Sequence, residues 1–104
     1  MAGRAKGKKW NDPVHPGEIL ADELEFIGMT AAEMAKRIGV PKNRLYQIVA
    51  AKRAMTADTA LRVGKFFGGG PDLWLDMQKR HDTQMAERKI GKALRRIEPY
   101  KPGA

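Results

Sequence analysis

The stretch AAEMAKRIGVPKNRLYQIVAAK, Ala31 to Lys52, decides how this chain folds. Thr30 just before it and Glu33 within it make a capping-box pattern; Met34, Ala35 and Ile38 then form an apolar stripe that Gly39 closes, which predicts a short helix over 31–38. Pro41 suits a first helical turn and not a helix interior, so it opens another helix, with Leu45, Ile48 and Val49 as its apolar face. Two short helices joined by a tight turn can cross steeply only where the first carries a small residue at the point of approach. Ala35 stands there, and Gly39 tolerates the positive φ that the turn needs. Met34, Ile38, Val40, Leu45 and Ile48 then point inward, leaving Lys42, Asn43, Arg44, Tyr46 and Gln47 near the exposed start of the second helix. This is helix-turn-helix spacing, with the second helix free to enter a major groove.

Each outward residue type then has a matching partner on DNA. Arg44 or Lys42 can pair with guanine O6 and N7, and Asn43 or Gln47 with adenine N6 and N7, because those side chains carry the complementary donors and acceptors. Lys52, Arg53 and the exposed helix start at Thr30 suit phosphates, which fix register without reading sequence. Tyr46 suits phosphate, a thymine methyl group or simple cover for the core. The competing reading is an ordinary helical hairpin, in which Ala35 is a packing choice and Arg44 and Gln47 are merely solvated. Basic and amide side chains gathered at one helix start favour the groove-facing arrangement.

Outward from this pair the pattern stays helical. Ile19, Leu20, Glu23, Leu24 and Ile27 share a side, Pro16 and Glu18 suit a first turn and Gly28 supplies a stop, predicting a first helix over 16–27. Downstream, Thr56 is a candidate N-cap for a helix in which Ala60, Leu61, Gly64 and Phe67 share a side, ended by Gly68, Gly69 and Gly70. Pro71 and Asp72 open a fifth helix whose Trp74, Met77, His81 and Met85 repeat at spacings of three and four. Ile90, Leu94 and Ile97 could extend it, although Gly91 weakens helix there and Pro99 and Pro102 end it. Without strand alternation or internal repeats, the expected class is all-α with five helices. The expected organisation is a flexible basic arm over 1–14, the folded domain over 15–85 and a basic C-terminal extension over 86–104.

A length of 104 residues allows one domain, and the net charge of +8 raises the prior for an anionic partner. That charge is mostly terminal: residues 1–14 carry +3, 85–104 carry +4 and 15–84 only +1. Inside the middle stretch the signs separate, with Glu18, Asp22, Glu23, Glu25 and Glu33 but no Lys or Arg over 15–35, and eight basic residues against Asp58 alone over 36–65. With no Cys, disulfides, thiolate metal sites and a cysteine nucleophile are excluded, and there is no Ser either. His15 and His81 lie 66 residues apart with no ligand pattern, so neither a metal site nor a cofactor is expected, and His81 beside Asp82 lacks a nucleophile to serve. The glycine triplet lacks the Lys-Ser/Thr of a phosphate loop. An enzyme acting on a small-molecule substrate is therefore not expected. No stretch free of charged residues exceeds seven, which excludes a membrane span and favours a cytoplasmic protein. Trp74 and Met77 read first as core, with a subunit interface as the functional alternative.

The run His15-Pro16-Gly17-Glu18-Ile19-Leu20, then Gly39-Val40-Pro41 with Leu45, then Ala51-Lys52-Arg53, Thr56-Ala57-Asp58-Thr59-Ala60-Leu61-Arg62, Phe66-Phe67-Gly68 and Trp74-Leu75 closely resembles the HigA (VapI) antitoxins of the XRE/Cro helix-turn-helix superfamily. The similarity spans about residues 14–85. It implies a five-helix, lambda-repressor-like domain that forms a homodimer, binds palindromic double-stranded operator DNA of its own operon and neutralises a HigB-like toxin, an mRNA endonuclease. Leu73, Trp74, Met77 and His81 are the candidate dimer contacts, and acidic Glu18, Asp22, Glu23 and Glu25 the candidate toxin contacts. Two features depart from the family pattern: Ala31 and Ala32 follow Thr30 where many relatives carry Gln, and the chain is basic overall. A stand-alone XRE-family repressor with no toxin partner is the alternative.

Overall fold

His15 starts the first helix by a local device. Its Nδ1 accepts from the Gly17 N–H at 2.9 Å while its own N–H donates to Glu18 Oε2 at 2.9 Å, and Pro16 then fixes φ for the first turn. In the computed structural model, which describes residues 12–103, five helices follow: α1 Pro16–Ile27, α2 Ala31–Ile38, α3 Lys42–Val49, α4 Ala57–Phe67 and α5 Asp72–Arg95. There is no strand among the described residues. The expected N-terminal arm lies outside them except for its last three residues, and of these Pro13 is buried, so residues 12–14 are part of the folded body. Thr56 stands at the N-cap of α4 as expected, although its side chain makes no capping bond.

Leu20 and Leu24 from α1, Met34 and Ala35 from α2, Leu45 and Ile48 from α3, Ala60 and Val63 from α4, and Trp74 from α5 form one core, joined by Val40 and Met55 from the connections. Leu45 and Ile48 are fully buried. Burying such a side chain contributes roughly 1.5–3 kcal/mol, so turning α3 about its axis would cost more than its polar face could recover. The rotation of α3, and hence what it shows to solvent, is set by these two residues. Its axial position is set by Gly17, where a Cβ would lie 1.6 Å from the Ile48 carbonyl oxygen; only a glycine lets the start of α1 approach the end of α3 this closely.

Two expectations are corrected, and one left open is decided. Leu61 faces outward on α4 at 56% exposure, because Thr59, Ala60, Val63 and Gly64 form the buried side; Leu61 instead lines a groove with Ile38 and Phe66, rimmed by Arg37, Arg62 and Lys65. Trp74 is 5% exposed and stacks on Phe67 with ring centroids 6.1 Å apart, so it belongs to the core and is closed to a subunit contact. The fifth helix takes the extension that Ile90, Leu94 and Ile97 allow. It continues through Gly91 to Arg95 with one non-helical residue, Ile90 (φ −114°, ψ 16°), and so crosses the expected domain boundary at 85/86.

Candidate nucleic-acid interface

The α2–α3 pair is built from the bonds the sequence promised. Thr30 Oγ1 accepts from the Glu33 N–H at 3.1 Å and the Thr30 N–H donates to Glu33 Oε1 at 3.0 Å, closing the capping box. Those bonds to Thr30 hold the Glu33 carboxyl below its ordinary pKa, so a carboxylate occupies the positive end of α2. At the other end Gly39 adopts φ 75° and lets the Val40 N–H reach the Ala35 carbonyl at 3.0 Å.

With Leu45 and Ile48 inward, the helical step of about 100° per residue puts Asn43 and Gln47 at the middle of the outward face. Lys42 and Tyr46 lie on one flank of that face and Arg44 on the other, toward α4. Lys42, Asn43, Tyr46 and Gln47 are exposed, whereas the Arg44 side chain is only 28% exposed. Tyr46, at 45% exposure, does not cover the core. The helix ends in a left-handed cap at Ala51 (φ 60°), where the Ala51 N–H donates to Ile48 O at 2.9 Å and the Lys52 N–H to Gln47 O at 2.8 Å. This cap turns the chain so that Lys52 and Arg53 stand exposed beside the end of α3, with Arg53 Nη1 donating to Gln47 Oε1 at 3.3 Å. Seven of the eight sequence-assigned contact residues thus share one cationic face of α3 and its cap. Thr30 differs, because its hydroxyl and N–H are both engaged by Glu33.

Two residues of this face were missed. Asp58 Oδ1 accepts from Arg44 Nη1 at 2.9 Å and from Arg62 Nε at 2.9 Å, and Arg62 Nη1 donates to the carbonyls of Ile38 at 2.9 Å and Gly39 at 3.2 Å. Arg62 foremost, with Arg44, holds the Asp58 carboxyl below the usual carboxylate range. The signal was present: Asp58 is the lone acid among eight cations over 36–65, and it stands four residues before Arg62 at helical spacing.

The other assignments scatter. His81 is half-buried, its ring edge-on to His15 with centroids 5.1 Å apart, and Met77 packs against the core; of the expected dimer contacts only Leu73, at 63%, is well exposed. On α1, Glu23 and Glu25 are exposed, whereas Glu18 is engaged in the cap and Asp22 is half-buried with Oδ2 enclosed. Among the described residues no group of three or more His, Cys, Asp or Glu is placed to hold a metal ion, and no helix is long and apolar enough to cross a membrane.

Comparison with known proteins decides the family. A helix-turn-helix family model matches residues 27–74. The chain is 45% identical over 82 residues to virulence-associated protein I of Dichelobacter nodosus, covering 78% of this chain and 76% of that protein. It belongs to the HigA/VapI family of XRE-type helix-turn-helix antitoxins. A HigA-family addiction module antidote protein from Coxiella burnetii superposes with a TM-score of 0.83 at 47% identity, over 86% of this chain and 99% of that one. Pseudomonas aeruginosa antitoxin HigA, solved with the higBA promoter, superposes with a TM-score of 0.81 at 33% identity, over 86% of this chain and 99% of that one. The HigA fold is therefore matched over 86% of this chain.

Proposed function

We propose that this HigA-family chain binds operator DNA as a dimer through α3, represses its own operon and neutralises a HigB-like mRNA endonuclease toxin in the cytoplasm. The observation that supports it is the outward face of α3, with two amides at its centre, cations on both flanks and Lys52 and Arg53 at its end. Asn43 and Gln47 match adenine edges, Arg44 and Lys42 match guanine edges, and Lys52 and Arg53 match phosphates. The Pseudomonas relative solved with a promoter adds direct family support for DNA as the ligand. One recognition helix reads only a few base pairs, so two subunits placing their helices about 34 Å apart are the natural source of operator specificity. Exposed Leu73, at the start of α5, is the apolar contact best placed to serve that pairing. Exposed Glu23 and Glu25 form the acidic surface suited to a basic toxin.

The test is a pull-down of the full chain from native lysate, with the bound DNA and the bound protein both identified. We expect a duplex from upstream of its own gene together with a small basic protein. Gln47→Ala should weaken binding to that duplex by about 1–3 kcal/mol without changing the thermal midpoint. Unchanged affinity in Gln47→Ala would reject the α3 face. Operator binding without any co-purified toxin, and no rescue of cells from a neighbouring toxic gene, would leave a stand-alone repressor.

A further inference from the structure

One carboxylate oxygen on α4 gathers two arginines from different parts of the motif. Arg62 Nη1 reaches back to the carbonyls of Ile38 and Gly39 at 2.9 and 3.2 Å, Arg62 Nε meets Asp58 Oδ1 at 2.9 Å, and the same oxygen receives Arg44 Nη1 at 2.9 Å. A continuous strut therefore runs from the α2–α3 turn, through α4, to the side chain that flanks the outward face of α3. We propose that Asp58, which lies outside the helix-turn-helix pair, is a positioning residue that sets which edge of the Arg44 guanidinium is presented to DNA, and thereby determines base selectivity where Arg44 reads. This rests on the operator-binding reading above.

The chemistry of the guanidinium makes the constraint effective. Its five N–H donors lie in one rigid plane, so anchoring Nη1 restricts the plane and leaves the remaining donors pointing in a limited set of directions. A free arginine would sample many directions and hydrogen-bond to whatever acceptor came within reach. With Asp58 at 57% exposure the ion pair itself contributes little to folding, and the favourable place of its carboxylate in the first turn of α4 does not depend on Arg44. Electrostatics makes the carboxylate unfavourable for general affinity: a negative charge on this face opposes the phosphates of every duplex equally. Asp58 thus lowers binding to all DNA while raising the gap between the right base pair and the wrong one. Those opposing effects separate a positioning role from a structural one.

The experiment compares two duplexes at fixed salt: the one that the wild-type full chain enriches from a random-sequence pool, and a shuffled duplex of the same composition. We expect Asp58→Asn to bind the shuffled duplex at least as tightly as wild type and to lose about tenfold of the preference for the enriched one, at an unchanged thermal midpoint. Asp58→Glu, which keeps the charge, should retain most of that preference. In an Arg44→Ala background, Asp58→Asn should change the preference no further. An unchanged preference in Asp58→Asn would overturn the proposal. So would parallel weakening on both duplexes, or an equal loss in the Arg44→Ala background. If the wild-type chain enriches no sequence at all, the operator-binding reading itself fails, and this inference fails with it.

Discussion

His15 shows how much a single side chain can do at the start of this domain. Its Nδ1 accepts the Gly17 N–H, and an imidazole can accept there only while that nitrogen carries no proton. Burial first, and the neighbouring charge of His81 second, push the His15 pKa below its ordinary 6.5, against the opposing pull of Glu18, Asp82 and the Arg53 backbone. The sign follows from linkage: the unfolded chain binds this proton more readily than the folded one. The contribution of His15 is therefore complete above pH 6.5 and is lost as pH falls through the lower folded-state value. We expect the urea midpoint to drop as pH is lowered below 6.5, with a slope from this one proton of at most about 1.4 kcal/mol per pH unit. His15→Asn keeps a capping acceptor and removes the titration, so its profile over the same window should be flatter; an equal slope would locate the proton elsewhere. The role of His15 at the helix start was legible because His-Pro-Gly-Glu is a local signal. Its ring contact with His81 was not, since it joins residues 66 positions apart.

At the scale of elements, α3 is short, at eight residues, so its two ends matter as much as its middle. Its C-terminal cap places Ala51 in the left-handed region at φ 60°, where an L side chain is strained by roughly 1–2 kcal/mol. Glycine relieves that strain at some entropic cost to the unfolded chain. We expect Ala51→Gly to raise stability by up to about 1 kcal/mol, measured by chemical denaturation, and to leave DNA binding intact. A destabilised Ala51→Gly would mean that the cap is not left-handed in solution. The capping box of α2 and the glycine stops at Gly28, Gly39 and Gly68 were legible because each closes hydrogen bonds within a few residues. The buried side of α4 was not. Leu61 and Val63 are both apolar, and only the approach of α2 and α5 decides that Val63 turns inward.

Across the whole molecule, a polar chain that starts at buried Gln78 links the loop after α3 to α5. Gln78 Oε1 accepts the Met55 N–H at 2.7 Å, and Gln78 Nε2 donates to Asp82 Oδ1 at 3.0 Å, which also meets His81 Nδ1 at 3.0 Å. The hydrogen bond from His81 foremost keeps the Asp82 carboxyl below its ordinary range. Met55 closes the loop that carries Lys52 and Arg53, so α5 anchors that loop through Gln78. Gln78→Leu leaves a buried N–H without its acceptor, at about 1–3 kcal/mol of stability. We expect a lower thermal midpoint and faster amide exchange over residues 52–56. An unchanged midpoint would show that water replaces the side chain.

What the amino-acid order determined by itself was the five helices, their starts, the glycine stops of α1, α2 and α4, and the outward polar register of α3, because capping bonds and helical spacing act between residues at most a turn or so apart. Tertiary structure alone decided that Arg44 meets Asp58 and Arg62 meets the α2–α3 turn, and that Leu61 faces out while Val63 turns in. Those outcomes depend on the angles and distances at which helices pack. Such contacts between residues 14 or more positions apart leave no periodic trace in the chain that makes them.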